Sequence, residues 1–341
     1  MPKVCLIHPA VNDLPSMLSY LGVEGPVDGL EWDASAPEIL IATEFIYYRK
    51  LLFEQFCRLY PDARIKAICL QEALEPDFNV FDYAFGFSDA HEGDPRFCRL
   101  PGPLDMFGGF LDGSRRNSLT DPAAAASELS AKTGFCNFIY SNPAAHPMRD
   151  ALFGKLCEYR KVDSLGRHLN NVTKPGTGWS GAHKAEGLAL RRPYKFSIAS
   201  ENARMAGYVS EKILVALQAH TVPVYWGDPH VAETVNPECF INAYDYPDLD
   251  ALLQRVKEVD ADDALWLKYA TAPWFTPEQE AALLLRSRLY AGRMTALLGG
   301  TLSRAVPEGY HVNLYRRHFF ENAFPLERPR GLSRLLRKFA R

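Results

Sequence analysis

Tyr208, Glu211 and Lys212 stand at i, i+3 and i+4, so on a helix all three share one face. Apolar Val209, Ile213, Ala216 and Leu217 recur on the opposite stripe. A phosphate at the start of such a helix would meet backbone N–H groups and Lys212, while Glu211 could accept hydrogen bonds from vicinal hydroxyls. On spacing alone, a solvated helix face with a local Glu–Lys contact is the commoner meaning of this pattern. Glu72 follows the strand-like run Ile65 to Leu70 after Gln71, at what would be the carboxyl end of a strand. That is where an α/β sheet presents catalytic groups, although a lone loop Glu is more often simply solvated. Asp260-Ala-Asp262 has the spacing that a metal-dependent transferase would place on a strand end to hold Mg²⁺ or Mn²⁺. It lies between helical patterns, which favours a turn and helix cap.

The elements that must position these groups alternate. Lys3 to His8, Glu38 to Thr43, Ile65 to Leu70 and Tyr83 to Phe87 read as strands. Pro15 to Leu21 and Glu44 to Leu59 read as helices, the second with Phe45, Tyr48, Leu52 and Phe56 on one face. Asp94 to Phe107 is loop-like, and Pro122 with its alanines suggests a short helix or linker. A second alternating series follows: strand Gly134 to Asn142, helix Pro147 to Tyr159 and strand Lys161 to Ser164. Residues 171–192 are rich in Gly, Lys and Thr without periodicity, with Lys174 and Lys184 as spare cations, as in a lid that orders on a ligand. Next come strand Lys195 to Ser200, loop Glu201 to Gly207, helix Tyr208 to Ala219 and strand Val222 to Trp226, ended by Gly227-Asp228-Pro229. This βαβ unit should have parallel strands. Cys239 to Asn242 and Leu249 to Val256 read as strand and helix, and Thr276 to Leu298 as a long helix capped at Thr276-Pro277-Glu278.

The chain has 341 residues, enough for two cores. A net charge of -3 with 47% hydrophobic residues describes a globular protein and gives no sign of a nucleic-acid partner. The seven cysteines form no CxxC and no Cys/His pair with metal spacing. Most lie in apolar runs, as reduced core residues of a cytosolic protein would. No signal peptide opens the sequence, and no run approaches the ~18 apolar residues of a membrane span. From Arg328 onward there are basic residues and no acid, with Leu332, Leu335, Leu336 and Phe339 at helical spacing. Such a tail suits a basic amphipathic helix on an anionic membrane surface, or a frayed or packing terminus.

ENARMAGYVSEKILVALQAHTVPVYWGDP, from Glu201 to Pro229, resembles the donor-binding motif of the α-1,3/4-fucosyltransferases, an inverting family that uses GDP-fucose. That motif runs close to (F)EN…(D/G)YVTEK…A…VPV…GP. Ser200 stands where the family has an apolar or aromatic residue, and Ser210 where it has Thr. LQEALEPDFNVFDYAFGF resembles the family's GENxxPxFNxFDYAIGF stretch, which puts its general base on Glu72. Gln71 and Ala73 replace the flanking Gly and Asn, and Glu75 is a nearby rival. DPRFCRLPGPLDMF resembles the family's Arg-Leu-Pro segment near the acceptor. Gly166-Arg167-His168-Leu169-Asn170-Asn171 resembles its (V)D(S)xGxxxNN segment, where the diphosphate-binding Arg is best matched by Arg167. A guanidinium is permanently charged and can hold phosphate oxygens bidentately.

The resemblance implies a GT-B architecture of two Rossmann-like α/β domains facing across a cleft. We expect an acceptor domain at 1–133, a GDP-fucose domain at 134–300 and a C-terminal segment at 301–341. The implied reaction moves L-fucose from GDP-fucose to a 3- or 4-hydroxyl of an N-acetylglucosamine or glucose unit. Glu72 would be the base, Arg167 and Lys212 the diphosphate cations, Glu211 the ribose ligand and Tyr208 a nucleotide contact. Glu201 and Asn202 would position the fucose, with no obligatory metal or cofactor. The acceptor would be N-acetyllactosamine-like, within a bacterial surface-glycan precursor. The absence of the N-terminal anchor of animal members suggests a cytoplasmic enzyme, held to the inner membrane through 328–341 if that tail binds lipid. Two other readings stay open: an inverting transferase of another nucleotide sugar, and a non-catalytic nucleotide- or glycan-binding protein.

Overall fold

The computed structural model describes residues 1–23, 27, 29–102, 116–172 and 185–322. It divides the chain into two compact units. The first comprises residues 1–86, 93–98 and those from 291 on; the second comprises 87–92 and 99–290. The division therefore does not fall at 133/134. Residues 99–133 group with the second unit, and the long helix Pro277–Leu298 passes from the second unit to the first after Tyr290. Lys174, Lys184 and the basic stretch 328–341 lie outside the described residues.

The first unit holds strands β1 (Lys3–Ile7), β2 (Glu31–Trp32), β3 (Ile39–Thr43), β4 (Ile65–Cys69), β5 (Tyr83–Gly86) and β6 (Phe97–Arg99), in sheet order β2-β1-β3-β4-β5-β6. The β2/β1, β1/β3, β3/β4 and β4/β5 pairings are parallel. β3 and β4 are buried at every position, as strands covered on both faces must be, and their residues are apolar apart from Thr43 and Lys66. β6 falls within the stretch Asp94 to Phe107 that the sequence marks as loop-like.

The helix expected over 44–59 is divided. A 3-10 turn, Glu44–Tyr47, is followed by extended Arg49 and then by the helix Lys50–Leu59. Its buried stripe is Phe53, Phe56 and Leu59, whereas Tyr48 is 53% exposed. Turning the chain here directs the Glu44 carboxyl inward, where it accepts the Gln71 N–H. The segment from 301 to 322 closes onto the same unit. Asp82 Oδ1 accepts the N–H groups of Ala305 and Val306, and Phe319 and Phe320 of the helix Tyr310–Asn322 pack on Phe53.

The second unit holds β7 (Gly134–Phe138), β8 (Val162–Ser164), β9 (Tyr194–Ser200), β10 (Val222–Trp226) and β11 (Ile241–Asn242), in order β11-β10-β9-β7-β8 with parallel pairing throughout. Phe135, Phe138, Phe196, Val222, Val224 and Trp226 pack with Leu252, Val256 and Trp266 from the helices Leu249–Ala261 and Asp263–Thr271. Two flanking helices, Pro122–Ser130 and Met148–Cys157, match expectation. The helix Ala185–Arg191 was not legible in the sequence.

All seven cysteines are free; Cys5, Cys69, Cys98, Cys136 and Cys239 are buried, while Cys57 is half-buried and Cys157 exposed. Among the described residues no helix is long and apolar enough to cross a membrane.

Candidate functional site

The site is built at the carboxyl ends of β9 and β10, which run parallel from Val222↔Phe196 to Trp226↔Ser200. Glu201 is the first residue beyond β9, and its N–H donates to Trp226 O at 2.8 Å. That bond ties the loop to the end of the neighbouring strand. The Glu201 side chain is 0% exposed. Its two oxygens accept the Ser210 N–H at 2.8 Å and the Ser210 hydroxyl at 2.6 Å. Lys212 Nζ lies 3.1 Å from Glu201 Oε2 and donates to Ser210 Oγ at 2.7 Å, with Glu211 Oε1 at 3.6 Å. Burial pushes the Glu201 carboxyl up despite the pull of Lys212. Burial would lower the Lys212 ammonium, but the Glu201 and Glu211 carboxylates outweigh it and hold the proton on. Gly227 makes room for this pair: a Cβ there would stand 2.3 Å from Glu201 Cγ.

This arrangement alters one expectation. The helix spans Glu211–Gln218 with Ser210 as its N-cap, so Tyr208 lies outside it and does not share a helical face with Glu211 and Lys212. Ser210 makes no side-chain cap, because its hydroxyl serves Glu201 instead. Tyr208 is buried, its ring edge-on to Phe87 at 5.2 Å. The anion already seated at the helix start is the Glu201 carboxylate, favoured there by the N-terminal N–H groups.

A second cation sits close by that the sequence reading did not assign. Arg149, in the first turn of Met148–Cys157, is 1% exposed, with its guanidinium 4.1 Å over the Tyr140 ring. It donates to Ser200 O at 3.1 Å and to Asn202 Oδ1 at 2.5 Å. Its buried Nε has no partner, and among the described residues no carboxylate pairs with it. Tyr140 ties the Arg149 side to β9: its hydroxyl donates to Ile198 O and accepts the Ser200 N–H, and burial pushes that hydroxyl up although Arg149 and Lys212 pull it down. The Arg149 guanidinium thus keeps one buried donor without an acceptor among the described residues. The available signal was a basic residue opening a helix just beyond a strand of the same sheet.

Asn202 joins this cluster through Arg149, and its carbonyl accepts the His146 N–H at 2.8 Å. Arg167 does not join it. Its side chain is exposed on the turn after β8, and no hydrogen bond or ion pair connects it to the cluster. Gly166 before it is pressed on Tyr140, where a Cβ would stand 2.0 Å from the backbone oxygen. His168 is turned to Asp150 at 2.7 Å.

Glu72 belongs to the first unit, three residues past the end of β4 and half-buried. Glu75, its rival, is exposed. The acidic triplet is structural: Asp260 is buried against Arg160, Tyr159 and Lys195, while Asp262 caps the helix Asp263–Thr271. Among the described residues Asp89, Asp228 and His230 also approach one another closely enough to hold a metal. One cation is already there, Arg99 Nη1 at 2.6 Å from Asp89 Oδ1, and His230 Nδ1 lies 3.1 Å from Asp89 Oδ2.

Residues 129–280, which contain this site, match the model of the glycosyltransferase family 10 (fucosyltransferase) C-terminal domain. This stretch is similar to that domain, and the match takes in less than half of the chain. The chain is 31% identical over 211 residues to an α-(1,3)-fucosyltransferase of Helicobacter pylori, covering 54% of this chain and 42% of that protein. It is 29% identical over 142 residues to an α-(1,4)-fucosyltransferase of Arabidopsis thaliana, covering 38% and 35%. The chain thus spans less than half the length of these curated relatives. A crystal structure of an α1,3-fucosyltransferase with GDP superposes with a TM-score of 0.64 at 19% identity, over 90% of this chain and 93% of that one. The likeness extends beyond the family 10 domain, so both α/β units follow the GT-B type of fold.

Proposed function

We propose that this chain is an inverting fucosyltransferase, moving L-fucose from GDP-fucose to the 3- or 4-hydroxyl of an N-acetylglucosamine or glucose unit. The observation that carries the reading is the pair of cations, buried Arg149 and half-buried Lys212, near the carboxyl end of β9 within residues 129–280, with no carboxylate partner for Arg149 among the described residues. In this reading Arg149, rather than Arg167, takes the diphosphate with Lys212. As the anomeric carbon–oxygen bond breaks, charge gathers on the leaving GDP, and fixed cations stabilise it with no obligatory metal. Glu211 takes ribose hydroxyls. Glu201 acts from behind by fixing Lys212, and Asn202, held by Arg149, faces the fucose. Tyr208 supports the nucleotide loop from its buried seat on Phe87. Glu72 takes the proton of the acceptor hydroxyl as that oxygen attacks from the opposite side.

The acceptor would be an N-acetyllactosamine-like unit of a bacterial surface-glycan precursor, such as lipopolysaccharide. The protein would then work in the cytoplasm, with the basic stretch 328–341 touching the anionic inner membrane. Because Arg149, Glu211 and Lys212 grip the nucleotide and diphosphate, they constrain the sugar poorly. Transfer of another sugar from a nucleotide donor is therefore the second reading, and a donor panel separates the two.

The test is GDP release from GDP-fucose in EDTA, with N-acetyllactosamine and a type 1 disaccharide as acceptors. Acceptor-dependent release supports metal-independent fucosyl transfer and shows which linkage is preferred. Absence of GDP binding by calorimetry would overturn the reading.

A further inference from the structure

In the first unit, β3 and β4 are parallel neighbours whose last residues, Thr43 and Cys69, lie opposite each other. The residues just beyond them therefore emerge side by side at the carboxyl edge of the sheet. After Thr43 comes Glu44; after Cys69 come Leu70, Gln71 and Glu72. Glu44 is 4% exposed, and its Oε2 accepts the N–H of Gln71 at 3.2 Å. Among the described residues no Lys or Arg forms an ion pair with it. Enclosing a carboxyl group without a cation is costly, and burial, with Glu72 adding to it, pushes this one up to about 7. A hydrophobic residue would pack here at lower cost, so the polar contact to Gln71 is what the site gains.

We propose that Glu44 is a positioning residue for Glu72. It clamps the backbone amide of the preceding residue and so fixes where the Glu72 carboxylate points at the sheet edge. The inference rests on the reading of Glu72 as the base. It adds a residue just beyond a neighbouring strand that acts only through Glu72.

The experiment measures acceptor-dependent GDP release for the wild type, E44A, E44Q, E44D, E72Q and the double variant E44A/E72Q, with GDP affinity by calorimetry. Misplacing a catalytic group by about an ångström can cost about 100-fold. E44A is expected to lower kcat by about 10- to 100-fold, with the donor KM and GDP affinity unchanged. E44Q keeps an oxygen for the Gln71 N–H and should recover most of that loss, whereas E44D, one methylene shorter, should not. In the E72Q background, E44A should cost nothing further, because residues acting as a unit are not additive. Wild-type kcat in E44A overturns the inference, as does an E44Q as impaired as E44A. Should E44A fail to fold, wild-type kcat in E44D overturns it instead. Full turnover in E72Q would instead overturn the assignment of Glu72 as the base, a result read independently of Glu44.

Discussion

Lys212 Nζ stands 3.1 Å from Glu201 Oε2, across a carboxylate that solvent does not reach. The two are joined again through Ser210, whose hydroxyl donates to Glu201 and accepts from Lys212. Lys212, the cation proposed to meet the donor, is thus held from behind by a buried carboxylate.

Removing one member of such a pair leaves the other charged and enclosed. Lys212→Met should lower stability by about 3 kcal/mol, measured by urea unfolding, and weaken GDP binding in calorimetry. Adding Glu201→Gln should recover much of the stability but none of the GDP affinity. Recovery of both would mean that Lys212 does not touch the donor.

Arg149 and Arg167 give opposite expectations. Arg149→Ala should weaken GDP binding by at least about tenfold, equivalent to about 1.4 kcal/mol. Arg167→Ala, on its exposed turn, should leave the affinity within error. The reverse ranking would restore Arg167 as the diphosphate ligand.

Gly227→Ala places a methyl group 2.3 Å from Glu201 Cγ, 2.6 Å from its Cβ and 3.0 Å from the Tyr225 hydroxyl. None of these is the loose end of a flexible side chain, so the strand end or Glu201 must shift. A loss of about 1–3 kcal/mol is expected, with weaker GDP binding alongside it. Wild-type unfolding and affinity would show that the packing there is slack.

Away from the site, Glu128 governs an acid limb of stability. Burial would raise its carboxyl, but hydrogen bonds from Arg192 and Lys132 overcome this and lower it from 4.5 to about 2. A carboxyl depressed in the folded state favours folding above its unfolded value. That contribution is complete above about 4.5 and is lost as pH falls from there towards 2. Urea titrations between those limits should show stability declining more steeply in the wild type than in Glu128→Gln. Parallel slopes would assign the acid limb to other groups.

Sequence by itself determined the alternation of strands and helices, because apolar runs buried on both faces and Gly/Pro stops are local signals. Val222 to Trp226, Lys3 to Ile7 and the helix after Thr276 are read within a residue or so. The motif from Glu201 to Pro229 carried the resemblance on which the proposed nucleotide-sugar chemistry rests. Tertiary structure decided the rest. Whether Tyr208 starts the helix depended on Ser210 finding Glu201, a partner nine residues back whose enclosure no spacing rule reports. Arg149 is 63 residues from Lys212, and only the parallel packing of β7 beside β9 brings its helix to the Tyr140 ring and the end of β9. The split of the helix expected from Glu44 was equally unreadable, since the Gln71 amide that draws Glu44 inward belongs to the next strand's loop. Periodicity reports which face of a segment is apolar; which polar group on a distant segment will satisfy a buried charge is settled only when the sheets are assembled.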